Sequence, residues 1–112
     1  MEKFLDLAAQ GDILIERVES VPEGLKQVAP VNGDLIVTHS ESGHHHVCDP
    51  VKSELFQYDL VTSYLNVKAK EDLLIHKKDG PDRHKTMMLK TGIYKIHRQV
   101  ERTPKGWTRV ED

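Results

Sequence analysis

Apolar and polar residues alternate with a period of two in several short runs of this chain, β-branched apolar residues fill others, and Gly or Pro punctuates both at short intervals. That period is the signature of strands with one buried face. Strands are expected over Asp12–Val18, Asp34–Thr38, Glu54–Tyr58 and Ser63–Val67, the last two as a hairpin, then over Leu73–His76 and Lys85–Leu89. The longest candidate is Ile93–Arg102, with Tyr94, Ile96 and Val100 inward beside Arg98, and Trp107–Val110 makes a short edge strand. Turn chemistry separates them: Val21-Pro22-Glu23-Gly24, an Asn32-Gly33 pair suited to positive φ, Asp49-Pro50, Gly80-Pro81, Lys90-Thr91-Gly92 and Pro104-Lys105-Gly106. Only the N-terminus departs from the pattern. Phe4, Leu5 and Ala8 stand at helical spacing before Gly11, so residues 1–10 read as a short helical segment, and 11–112 as the β-domain.

Many short strands with such punctuation predict an antiparallel all-β fold, a barrel or a sandwich. The chain has 112 residues, the size of one domain with one core. Hydrophobic residues at 38% and charged residues at 30% exclude a disordered or membrane-embedded composition. No apolar run is long enough for a membrane span, and Met1-Glu2-Lys3-Phe4 lacks the start of a secretory signal, so a cytoplasmic location is expected. One cysteine excludes an internal disulfide and every multi-cysteine zinc module. Charge is uneven. Residues 1–67 hold 11 acids and 4 bases, residues 68–112 hold 7 acids and 12 bases. Opposed signs of this kind favour head-to-tail self-association, hence a homo-oligomer.

The candidate chemistry sits in Thr38–Asp49, which holds His39, His44, His45, His46 and Cys48. Alternation places His44, His46 and Cys48 on one face and His45 and Val47 on the other. His44 and His46 offer two imidazoles from one strand. His76 ends one strand and His84 begins the next, so pairing would bring them near each other. Imidazole suits zinc, iron and nickel, and a site needs three or four donors from different segments. The expected ligands of a divalent transition metal are therefore His44, His46, His76 and His84, with Glu41 or Cys48 as a further donor. His97 reads instead as solvent-facing among Lys95, Gln99 and Glu101, His39 as a core-margin residue, and Cys48 alternatively as a buried, inert thiol.

The basic residues from Lys77 to Arg109, with Tyr94 and Trp107 among them, raise the question of nucleic acid. Aromatics at 5% and a net charge of -2 point to a solvated sheet face instead. No phosphate-cradling glycine loop, nucleophile elbow or cysteine-hydrolase signature is present.

With His44-x-His46, a later histidine and the Lys90-Thr91-Gly92-Ile93-Tyr94 turn and strand, the chain resembles a small single-domain cupin. The resemblance implies a β-barrel holding a metal through His44 and His46 and through His84 or His76. Where a cupin has its acid after the pair, this chain has Pro50 and Val51, and Glu54 is the next carboxylate. Thr38 stands where the earlier glycine is expected. The Gly43-His44-x-His46 segment with Gly92-x-Tyr94 and Arg98-Gln99 also looks like small uncharacterised bacterial and phage proteins. Two expectations follow: a metal-binding β-barrel, with a small-molecule ligand as one use of the metal, or a non-catalytic structural or interaction module that assembles as a homo-oligomer.

Overall fold

The computed structural model describes residues 2–3, 7–10, 13–38, 45–76, 86–98, 100–103 and 106–109, with side chains described within 7–10, 13–38, 45–75 and 86–98. These residues form strands and turns throughout. In chain order the strands are β1 (Glu2–Lys3), β2 (Leu7–Gln10), β3 (Ile13–Val18), β4 (Lys26–Gln27), β5 (Leu35–Thr38), β6 (His46–Cys48), β7 (Ser53–Gln57), β8 (Thr62–His76), β9 (Met87–Arg98), β10 (Val100–Thr103) and β11 (Gly106–Arg109). The main sheet runs β2-β3-β9-β8-β6-β5. Strand β7 pairs with the first part of β8 and carries β4 on its other side. Pairing is antiparallel except for β1, which lies parallel to β9. Strands β10 and β11 make a separate hairpin.

The expected all-β, antiparallel class is observed. Among the described residues the end strands β2 and β5 share no ladder, so the sheet is open, in contrast to a closed barrel. The helix expected over residues 1–10 is replaced, where described, by β1 and β2. Leu7 pairs with Glu16 and Gln10 with Ile13, which gives the backbone cross-strand partners that an isolated helix of this length would lack. Ala8 packs on the core and Gln10 is buried, so the operative period here is two.

Two long strands carry the sheet. The expected Ser63–Val67 and Leu73–His76 strands are one strand, β8, and Lys90-Thr91-Gly92 is an irregularity inside β9. Val67 pairs with Gly92 but Glu71 with Lys90, so extra residues bulge from β8 between the two rungs. The amides of Lys68 and Ala69 are satisfied there by the Lys52 carbonyl at 2.9 and 3.2 Å. Gly92 has φ +152°, and a Cβ at this position would stand 2.9 Å from Nη2 of Arg17. The positive φ is what favours glycine here, and the neighbouring guanidinium, the end of a flexible side chain, donates to the Thr91 carbonyl and lies 5.8 Å from the Tyr94 ring centre.

The core collects the inward residues of both halves. Tyr94 pairs with Leu65 and Leu65 with Leu55, Ile15 pairs with Ile96, and Met87 pairs with Leu74. All of these are at most 2% exposed. Asn32 (φ 50°) and Gly33 (φ 81°) close the predicted two-residue turn, with Val31 and Asp34 bonded reciprocally across it.

Candidate functional site

Strand β6 brings His46, Val47 and Cys48 into the interior, all at most 3% exposed. Its position follows from pairing on both sides: Cys48 opposite Leu35 of β5, and Val47 opposite Ile75 of β8. His46 is the register partner of His76. Directly opposed residues on antiparallel strands have Cβ atoms roughly 4.5–5.5 Å apart. Of the four expected ligands, then, two are backbone neighbours. The expected His44 and His84 lie outside the described residues, as does the side chain of His76.

The ring of His46 is held by an unforeseen residue. Gln10, at the end of β2, reaches across the curled sheet and places Oε1 2.8 Å from His46 Nδ1, while its Nε2 donates to the Leu74 carbonyl at 2.9 Å. A carbonyl can only accept, so the amide nitrogen belongs on Leu74 and the amide oxygen on His46. Nδ1 is therefore the protonated nitrogen, and in the neutral ring Nε2 carries the lone pair. A signal for Gln10 existed in the sequence: by alternation it shares a face with Ala8 on a segment paired to the apolar run Ile13–Ile15. The helical reading hid it.

Cys48 belongs to a second polar group. Asp72, 2% exposed, accepts from Ser53 Oγ at 2.6 Å, from the Leu73 amide at 2.8 Å and from the Asp49 amide at 3.2 and 3.3 Å to its two oxygens. Burial pushes its carboxyl above the ordinary aspartate value, against the opposing pull of Ser53 and the two amides. Burial likewise pushes the Cys48 thiol well above its ordinary value, reinforced by the charges of Asp72 and Asp49. A thiol buried to 3% exposure and held protonated has the setting of a buried, inert cysteine. The native protein should leave Ellman's reagent unreacted over an hour, and one thiol should react once denaturant is added; rapid reaction without denaturant would show the burial to be wrong.

Above this group, Asp34, Asp49 and Lys52 rim a cleft of about 310 Å³ floored by Val47, Leu73 and Ile75. Among the described residues, no group of three or more His, Cys, Asp or Glu side chains is placed to hold a metal ion. No helix among them is long and apolar enough to cross a membrane.

The family model described as "Domain of unknown function (DUF8820)" matches residues 9–99. The chain belongs to this family. Comparison with curated proteins and with solved structures gives no match. The span matched by DUF8820 takes in Gln10, His46, Cys48, Asp72 and Leu74, so both polar groups lie within the domain that defines the family. The β10–β11 hairpin follows it.

Proposed function

We propose that the protein is a small metal-binding β-domain in which histidines at the β6–β8 rung hold a divalent transition metal, zinc, iron or nickel. The observation that supports this is the direct pairing of His46 with His76. The hydrogen bond from His46 Nδ1 to Gln10 adds to it, because metal-ligating histidines characteristically donate their other ring nitrogen to a fixed acceptor, which sets the tautomer and the ring orientation. The remaining donors in this reading are His44 and His84, in a cupin-like arrangement of a His-x-His pair and a later histidine. Bound there, the metal would serve small-molecule chemistry as a Lewis acid or fix the end of the sheet.

Elemental analysis after exposure to zinc, cobalt or nickel and desalting tests the proposal. The expected result is about one metal per chain, lost in His76→Ala and in the His44→Ala, His84→Ala double variant. Circular dichroism confirms that the strands persist in those variants. A wild-type protein that retains none of the three metals overturns the proposal, and so does full retention in both variants.

A second reading, a non-catalytic interaction module acting as a homo-oligomer, draws on β5, which among the described residues has a ladder on one side only, and on Leu60, 90% exposed at the β7–β8 turn. Light scattering separates the readings, since a strict monomer at micromolar concentration removes the second.

A further inference from the structure

The outward face of β2, β3 and β9, opposite the core, carries a second polar constellation, built on His97. Ile13, Ile15, Tyr94 and Ile96 point inward, so the alternate residues Leu14, Glu16, Lys95 and His97 point out. Register makes Leu14 the neighbour of His97 and Glu16 the neighbour of Lys95. With Leu7 of β2, these four line a cleft of about 300 Å³, at the small end of the range for small-molecule sites.

The His97 ring is oriented by a relay. Its Nδ1 lies 3.0 Å from Thr62 Oγ1, on the opposed residue of β8. The Thr62 side chain also hydrogen-bonds Asp59, and a carboxylate can only accept, so the hydroxyl proton goes to Asp59. The Thr62 oxygen is then the acceptor for His97, and Nδ1 is the protonated nitrogen. Asp59 is itself fixed, because its Oδ1 takes the amides of Val61 and Thr62 at 2.9 and 2.7 Å. Those amides, the Val61 amide first, and the Thr62 hydroxyl hold its carboxyl below the ordinary aspartate value. The chain Asp59–Thr62–His97 leaves the neutral ring with its lone pair on Nε2, the edge away from Thr62.

The cleft thus offers two acceptors, His97 Nε2 and the Glu16 carboxylate, one cationic donor, Lys95, and an apolar wall of Leu7 and Leu14. Glu16 and Lys95 are not joined in an ion pair among the described residues, although they are register partners. Leu7 is 65% exposed, a large apolar side chain left at the rim. We propose that this cleft binds a small zwitterion with an apolar side chain, of the class of the aliphatic α-amino acids. Its carboxylate lies on Lys95, its ammonium between Glu16 and His97, and its side chain on Leu7 and Leu14. A plain anion would leave Glu16 opposed to it, and a plain cation would meet Lys95, so only a ligand bearing both charges satisfies the pair.

The test is a titration of the ¹⁵N-labelled full chain, in the presence of a chelator, followed by amide chemical shifts. The probes are L-leucine, isocaproate, which lacks the ammonium, and isoamylamine, which lacks the carboxylate. Saturable shifts clustered on β2, β3 and β9 are expected for L-leucine, with each half-probe about tenfold weaker or more. Lys95→Met, an exposed-face substitution that spares the core, should weaken L-leucine by a similar factor, and His97→Phe should do the same while the fold persists. Shifts that never saturate, equal binding of a half-probe, or undiminished binding to Lys95→Met would each overturn the proposal. The chelator keeps this outcome independent of any metal at His46.

Discussion

Tyr94→Ala should destabilise the protein by about 3–5 kcal/mol, enough to lower the melting temperature by ~12 °C or more in a domain of this size or to unfold it outright. The ring is fully buried between Arg17 and Leu65, its register partners on either side, and forms part of a core contributed by six strands. Sheet backbones on both flanks are fixed by their ladders, so the space it leaves cannot collapse. Its hydroxyl also donates to the Lys90 carbonyl at 2.7 Å, a bond that spans the irregularity at Gly92. Tyr94→Phe isolates that bond and should cost only about 1 kcal/mol. Thermal and urea unfolding of the two variants measure the difference. Equal losses would mean that the ring contributes nothing beyond its hydroxyl, contrary to its burial.

Asp72→Ala should cost about 2–4 kcal/mol, for a different reason. The deletion strands the Ser53 hydroxyl and the Asp49 and Leu73 amides, three donors facing one buried carboxylate. Asp72→Asn keeps an acceptor for them without a charge and should be much milder. The pH dependence has a definite sign. A carboxyl raised above its unfolded value binds its proton more tightly in the native state, so its contribution to stability is most favourable below the unfolded value. That contribution declines as pH rises through the window up to the folded value. Stability of wild type relative to Asp72→Asn should therefore fall with rising pH across that window, by urea titration at a series of pH values. A difference that rises with pH instead would reverse the assigned cause.

How much of this was legible in the residues depended on whether the information was local. Asn32-Gly33 needs only its own φ angles, and the turn is where the dipeptide places it. The strands around Ile13, Leu35, Leu55 and Tyr94 are strands because alternation is also local. Gly92 misled because the same residue serves a turn and a crowded strand position. What decides between them is the pairing of Gly92 with Val67 and of Lys90 with Glu71, distant in sequence. Likewise Lys68-Ala69-Lys70 looked like a break between strands, yet the Lys52 carbonyl absorbs its amides. The His46–His76 pairing was within reach of the motif reading, since both residues were singled out. The Gln10 clasp was not, because it links the first hairpin to the middle of the chain. Asp72 gave a signal that passed unread: an acid sharing the face of Leu74. His97 was placed on the correct face, but its orientation comes from Thr62 and Asp59, across a register that only the folded sheet supplies.

The register shift between Val67 and Glu71 has a consequence for cooperativity. Strands β4 and β7 belong to the sheet on one side of that seam, and β5 and β6 on the other. Among the described residues only β8 and β9 cross it. Among the described residues the β5–β6 hairpin is tied to the rows through Leu55, Leu65 and Tyr94 by the shared packing of Leu35, Val37 and Cys48 in one core, and not by a ladder of its own. The Gln10 amide adds a polar tie to that packing. By holding His46 and the Leu74 carbonyl from β2, it links the far hairpin to the N-terminal one, so detaching either breaks this clasp as well as the core packing.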